Sequence, residues 1–161
     1  MLIRDSQGRS RKRSFTILRK NIGTANDGAQ KFYVYFNRPT DMDGTAFLVW
    51  KHTKGDDDRW MYFPGLDLVK RIAGGDKRTS FVGSTFLYED VSGRRLEADK
   101  HKLVETTTDA YVIESTPSDK KGVKFSKYVA HVDKKSFIPL KIEYYNSQGK
   151  VYRVYENKKW E

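Results

Sequence analysis

The sequence predicts a mainly β protein made of antiparallel strands, with little helix. Apolar and polar residues alternate with a period of two along most of the chain, which is typical of strands. Turn-forming residues recur at intervals of roughly ten residues, which favours a meander of about nine or ten short strands in one curved sheet. Alternating strand and helix units would need helical segments between the strands, so a parallel sheet is not expected.

The first half of the chain supplies strands that are apolar on both faces. The predicted strands are 15–19, 31–37, 45–53, 59–63 and 68–72. A turn-rich connector at 23–28 favours a hairpin between the first two strands. In the second strand, Phe32 and Phe36 point to one side, while Tyr33 and Tyr35 point to the other. A sheet that is apolar on both sides needs cover on both sides, from a second layer or from a ligand.

The second half continues the strand pattern. The predicted strands are 101–107, 110–115, 127–132, 137–145 and 150–156. The alternation is clearest in 137–145, where apolar residues alternate with Lys141 and Glu143. Pro139 lies in that strand and cannot donate a ladder hydrogen bond, so a bend, a bulge or an edge position is expected near its start. The best helical candidate is a turn or two near 85–91.

Length and composition bound the class of protein. A chain of 161 residues is about one domain long, so a single domain spanning 1–161 is expected. The absence of cysteine excludes disulfides, thiolate metal sites and cysteine nucleophiles. No stretch approaches the ~20 apolar residues of a membrane span, and no apolar signal-peptide region begins the chain.

The formal net charge of +10 invites comparison with proteins that bind phosphates. The dense basic run is Arg9 to Arg13, between Gly8 and the first predicted strand. Three interpretations of this run stay open: a solvated hairpin loop, a contact with an anionic lipid or partner, and a contact with nucleic acid. The other basic residues alternate with acidic ones, and no RNP, zinc-finger or helix-turn-helix pattern is present, so nucleic acid is not an expected partner.

The sequence offers no catalytic or metal-binding constellation. His52, His101 and His131 lie on separate predicted strands without neighbours suited to a triad or a metal site. Ser84 follows Gly83, but the second glycine of a nucleophile elbow is missing. The acidic turn around Asp43 lacks the glutamate that closes a calcium loop. We therefore expect neither enzymatic activity nor a metal or other cofactor.

Aromatic side chains are unusually frequent. Nine Phe, ten Tyr and three Trp make 14% of the chain aromatic. Such large side chains either fill a core or line a cavity for an apolar ligand. Composition alone leaves both interpretations open.

Four pieces of the sequence, in their order and spacing, resemble the outer membrane lipoprotein-sorting proteins, relatives of the lipoprotein carrier LolA. The pieces are Asp43-Gly44-Thr45 with Phe47-Leu48, Trp60-x-Tyr62-x-Pro64, Lys70-Arg71-Ile72, and Ser80-Phe81-x-Gly83-Ser84 with Tyr88-x-Asp90. The resemblance runs over the whole chain. It implies a curved antiparallel half-barrel of the LolA/LolB type, covered by helices, whose concave face holds acyl chains. Members of the family begin with a signal peptide and a helical segment and continue beyond the point where this sequence stops.

The resemblance also implies the residues of a site. Four aromatic residues lie in or beside matching positions: Trp60, Tyr62, Phe81 and Phe86. Together with Phe36, Phe47 and Trp50 they make up the expected hydrophobic lining. Alternation places some of these on opposite faces, so not all of them can line one cavity. A structural polar network is expected from Arg71, Ser84 and Asp90, with Arg71 and Asp90 as a pair, because buried charges are normally paired.

Two functions follow as expectations. The first is a periplasmic carrier that binds lipid or lipoprotein acyl chains in an apolar concave cavity and assists outer-membrane lipoprotein or lipid sorting, together with envelope transport proteins. The second is an envelope protein-interaction domain that keeps the fold without carrying a ligand. The chain is expected to be a fragment of a longer exported protein, and its exposed apolar surface and strand edges favour self-association.

Overall fold

The computed structural model describes residues 1–4, 7–22 and 29–157. The chain divides into two compact units, Met1–Gly93 and Arg94–Glu161. Each unit is built around an antiparallel sheet of five strands. The α-helix formed by the described residues is the short α1, Tyr88–Ser92.

The first unit contains a two-stranded ribbon and a five-stranded sheet. The ribbon pairs β1, Leu2–Arg4, with β2, Ser10–Lys12. The sheet follows chain order and consists of β3 Ser14–Asn21, β4 Gln30–Arg38, β5 Ala46–Lys51, β6 Asp58–Phe63 and β7 Leu68–Ile72. Residues 73–93, which we call the covering segment, then run through a 3₁₀ turn at Gly74–Arg78 into α1.

The second unit is also a meander. Its sheet consists of β8 Asp99–Thr106, β9 Ala110–Pro117, β10 Lys127–Asp133, β11 Pro139–Tyr145 and β12 Val151–Glu156, again in chain order. The register of β10 and β11 shifts between His131 and Val132, opposite Pro139. Phe137, just before β11, has a φ of 57°. The bend that Pro139 predicts near the start of this strand is therefore present.

The predicted fold class is confirmed: the structure is mainly β and antiparallel, with little helix. The expected single sheet is instead divided into two sheets of five strands. The middle of the basic run, Ser10–Lys12, pairs as β2 with β1. The predicted connector at 23–28 lies outside the described residues. None of the helices formed by the described residues is long and apolar enough to cross a membrane.

Candidate functional site

The first sheet buries one of its two faces. The registers of β4, β5 and β6 place Val34, Phe47 and Met61 side by side, each at most 1% exposed. The other buried members of this face are Phe32, Phe36, Val49, Arg59 and Ile72. We call this surface the Phe47 face. Its strands alternate as the sequence predicts, so the apolar residues of one parity form a continuous layer.

The covering segment places an aromatic ring on the Phe47 face. Phe81 is 3% exposed, and its ring centroid lies 5.9 Å from that of Phe36 and 5.2 Å from that of Phe47. Tyr88, on α1, adds a ring 5.2 Å from Phe47 and 5.6 Å from Phe81. The predicted lining residues Phe36, Phe47 and Phe81 are thus brought together, in a filled aromatic cluster.

A tight turn presents Phe81 to the sheet. Val82 and Gly83 both have positive φ, 47° and 70°. This conformation is unfavourable for a β-branched residue, so the surrounding contacts must hold it in place. Arg13 donates from Nη1 to the Val82 carbonyl, and the Ser84 hydroxyl donates to the Phe81 carbonyl at 2.7 Å. Ser84 therefore belongs to the polar contacts that shape the covering segment.

Asp90 and Arg71 occupy different places. The Asp90 carboxylate accepts a hydrogen bond from the Leu87 backbone N–H at 2.6 Å, which caps the start of α1. Arg71 lies on the opposite face of the sheet, with its side chain 70% exposed, and is paired with Asp58. The predicted couple of Arg71 and Asp90 is therefore wrong, because the capped helix and the strand β7 use separate partners.

Asp58 is the centre of a small surface cluster. Its carboxylate bonds to His52 Nε2 at 2.9 Å and also accepts from Arg71. The hydrogen bond from His52, followed by that from Arg71, lowers the pKa of Asp58. The cluster links His52, one residue beyond β5, to Arg71 on β7 through the first residue of β6.

Alternation places three more residues of the predicted lining on the other face of the sheet. Trp50 is 41% exposed, and Trp60 and Tyr62 are half-buried. They share this surface, which we call the Trp50 face, with Tyr33 and Leu48, which are 38% and 39% exposed. The ammonium of Lys31 lies 4.3 Å from the Trp50 ring centroid. The seven predicted lining residues therefore do not form one cavity.

Phe86, the remaining predicted lining residue, belongs to the covering segment and is 40% exposed. Its carbonyl accepts from the Phe81 backbone N–H at 2.7 Å, and its own N–H donates to the Ser84 hydroxyl at 3.1 Å. Phe86 therefore contributes to the shape of the loop through its backbone.

The Phe47 face also contains a charge that sequence patterns did not single out. Arg59 is 1% exposed and lies between Val49 and Ile72 in the ladder. Its Nη2 donates to Asp57 Oδ2 at 2.5 Å, and its Nη1 donates to the Asp57 carbonyl at 3.2 Å. The position of Arg59 in the strand could have indicated its burial, because alternation places it on the same side as Met61 and Phe63.

The second unit contains a buried polar network that was also not predicted. Asp99 accepts from Arg94 Nε at 2.8 Å and Nη2 at 2.9 Å, and from the Tyr128 hydroxyl at 3.1 Å. Burial, the largest cause, raises the pKa of Tyr128 to about 12. Next to it, His101 Nδ1 lies 2.8 Å from the Ser115 hydroxyl.

This network does not form a catalytic triad. His101 is bonded through its second ring nitrogen to the Leu96 carbonyl at 2.9 Å, and Asp99 is held by Arg94 and Tyr128. A triad requires the acid to orient the histidine, which these contacts do not provide. Within 1–4, 7–22 and 29–157, no group of three or more His, Asp or Glu side chains could hold a metal ion.

Comparisons with known proteins identify the family of the chain. A family model described as an uncharacterized protein matches residues 28–161. A domain assigned as an outer membrane lipoprotein-sorting protein, from Vibrio parahaemolyticus, is 34% identical with a TM-score of 0.79; the match covers 95% of this chain and 65% of that one. A DUF1329 family protein from Desulfovibrio piger is 32% identical with a TM-score of 0.75, over 89% of this chain and 62% of that one.

The chain thus spans less than two thirds of the length of these two structures. A LolA superfamily protein from Nitrosomonas europaea shares the fold, with a TM-score of 0.62 and 19% identity over 97% of this chain and 66% of that one. No curated protein matches the sequence. These comparisons agree with the family that the four sequence pieces, which include Trp60, Phe81 and Asp90, indicate. The chain belongs to the family of outer membrane lipoprotein-sorting proteins, and it shares the fold of a LolA superfamily protein.

Proposed function

We propose that this chain is a periplasmic, non-enzymatic carrier that binds lipid or lipoprotein acyl chains and assists their sorting to the outer membrane. Membership of the lipoprotein-sorting family supports this proposal. Acyl chains, and envelope transport proteins that deliver or receive them, are the partners that we propose.

The observation that carries the proposal is the position of Phe81. A ring on a loop outside the sheet fills the centre of the Phe47 face, where Phe36 and Phe47 are fully buried beneath it. If the covering segment moves away, it exposes a continuous apolar surface. An acyl chain could then take the place of the ring, and each buried methylene would contribute about 0.8 kcal/mol.

The contacts of the covering segment are compatible with such a movement. Arg13 bonds the Val82 carbonyl, and the Lys51 ammonium donates to the carbonyls of Ser92 and Gly93 at 3.2 Å. These polar contacts are hydrogen bonds to side chains rather than sheet ladders, and they act beside the apolar contacts of the Phe81 and Tyr88 rings. Each hydrogen bond contributes only about 1–3 kcal/mol net, which is comparable to the gain from a few buried methylenes.

Two measurements test the carrier function. Mass spectrometry of organic extracts from protein purified under native conditions should find acyl-containing molecules in a fixed ratio to the chain. Titration with a fluorescent fatty acid should then saturate. Absence of saturable binding by the delipidated protein would contradict the proposal.

The second candidate function is protein interaction through the Trp50 face. This surface is rich in exposed Trp and Tyr, which are the residue types that contribute most to binding at interfaces. The two candidates predict different results for Trp50→Ser combined with Leu48→Ser. If the chain is a carrier, the double variant keeps the fatty-acid affinity of the original protein. If the chain is an interaction domain, the original protein binds no fatty acid and the double variant no longer binds its protein partner.

A further inference from the structure

The Phe47 face changes in polarity along its strands. Three consecutive cross-strand rows contain its apolar residues, and a polar row of Asn21, Gln30 and Lys51 lies beyond them. The first end row consists of Arg19, Phe32, Val49, Arg59 and Ile72. The middle row consists of Ile17, Val34, Phe47, Met61 and Lys70. The other end contains two cross-strand pairs, Phe15 with Phe36 and Phe63 with Leu68. Arg19 and Lys70 are both exposed, so Arg59 is the buried cation of these three rows.

One hydrogen-bond donor of the Arg59 side chain is unsatisfied. Its two terminal nitrogens bond to Asp57, but its Nε is buried and has no hydrogen-bond partner. Buried donors are nearly always satisfied, and leaving one unsatisfied costs stability. A single carboxylate can engage only part of the five N–H groups of a guanidinium. The site therefore retains capacity for a second anionic oxygen.

A second arginine marks the same end of the face. The guanidinium of Arg19 lies 5.7 Å from the centre of the Phe32 ring, in the same row as Arg59. Phe15 and Phe36 lie four residues along their strands from this row, which is a distance of about 13 Å. The face is thus charged at one end, where Arg19, Arg59 and Asp57 lie, and apolar over the length of a medium acyl segment.

We infer that Arg59 receives the anionic head group of an amphiphile whose acyl chain lies along the Phe47 face towards Phe36. The inference rests on the proposed carrier function and specifies the ligand: an acyl or alkyl chain that ends in a carboxylate or a phosphate. Arg59 supplies charge-assisted, in-plane donors for these oxygens. Asp57 holds the guanidinium in place and competes with the ligand for it.

The alternative is that Arg59 and Asp57 form a structural pair only. Buried ion pairs are often replaceable by neutral residues without loss of stability, whereas removing one partner leaves an uncompensated charge. Variants must therefore separate lost folding from lost recognition. The double variant Asp57→Asn/Arg59→Met leaves neither charge unpaired, and Arg71→Met, on the Trp50 face, removes an arginine of the same sheet away from the site.

The experiment is displacement of a neutral, environment-sensitive dye from the full chain at about pH 8, where carboxylates are ionised. The displacing probes are dodecanoate and dodecyl phosphate, each below its micelle concentration, and dodecanol below its solubility limit. We expect at least one anionic probe to bind about tenfold more tightly than dodecanol, as a charge-assisted bond predicts. Whichever anion binds more tightly identifies the head group as carboxylate or phosphate.

The variants distinguish recognition of the head group by Arg59 from a purely structural role of the Arg59–Asp57 pair. Arg59→Met and the double variant should bind all three probes with the affinity of dodecanol, and Arg71→Met should keep the preference of the original protein. Asp57→Asn should increase the affinity for the anionic probes, because it removes the competing carboxylate; a purely structural pair predicts no increase.

Two results would overturn the inference in distinguishable ways. Saturable binding of all three probes with equal affinity would refute the role of Arg59 while leaving the carrier function in place. Failure of every probe to bind saturably would refute the carrier function and this inference together.

Discussion

Replacing Phe81 with alanine tests whether its ring is a displaceable plug. The ring is 3% exposed and contacts the rings of Phe36, Phe47 and Tyr88. Deleting a buried phenylalanine ring costs roughly 3–5 kcal/mol. Because Phe81 lies on a loop that can collapse into the vacated space, we expect a loss of about 3 kcal/mol in the free energy of unfolding. Urea denaturation measures this loss.

The same substitution should strengthen ligand binding. In the original protein an acyl chain must displace the ring, whereas in Phe81→Ala it displaces only the collapsed loop, which lacks the ring's contacts with Phe36 and Phe47. Dye titration under conditions where the variant is fully folded measures the affinity. Phe86→Ala is the matched control: it removes a ring of the same segment that is 40% exposed, and it should change stability by less than about 1 kcal/mol. A Phe81→Ala protein that is less stable but binds the dye no more tightly would show that the ring is not displaced by ligand. Phe81 would then be a core residue.

Four further predictions concern other contacts. Arg13→Met removes the bond to the Val82 carbonyl, so amide hydrogen exchange in the covering segment should become faster. Trp50→Ser should shift the protein towards monomer in sedimentation velocity, because it reduces the exposed apolar area of the Trp50 face. The lowered pKa of Asp58 means that its stabilising effect is present above about pH 4 and is lost as pH falls through the folded-state pKa, so Asp58→Asn should flatten the acid limb of the stability curve. The pKa of Tyr128, raised to about 12, means that its contribution is fully present below about pH 10 and is lost as pH rises towards 12, so Tyr128→Phe should flatten the alkaline limb.

The strands could be predicted because their signals are local. Alternation identified the two faces of β4 to β6, and the predicted 68–72 coincides with β7. The missing N–H of Pro139 predicted the irregular start of β11. The resemblance in four sequence pieces predicted the family. These features depend on neighbouring residues, so they can be recognised without knowledge of the tertiary structure.

The site could be predicted only in part, because it depends on which face is covered and on register. Alternation shows that Phe47 and Trp50 face opposite ways, but not that the covering segment packs on Phe47. The pairing of Arg71 with Asp58 arises from cross-strand register, which the sequence does not specify. The burial of Arg59 follows from the same register. The division into two sheets depends on where strand pairing stops, for which no local signal exists.

The most direct test of the carrier function is photo-crosslinking with a fatty acid that carries a diazirine along its chain. After irradiation and digestion, peptide mass spectrometry locates the modified residues. The proposed function predicts crosslinks to Phe36, Phe47 and Phe81, with competition by unlabelled fatty acid. Crosslinks confined to Trp50 and Trp60 on the opposite face, or labelling that unlabelled fatty acid does not reduce, would contradict the proposal that the Phe47 face holds acyl chains.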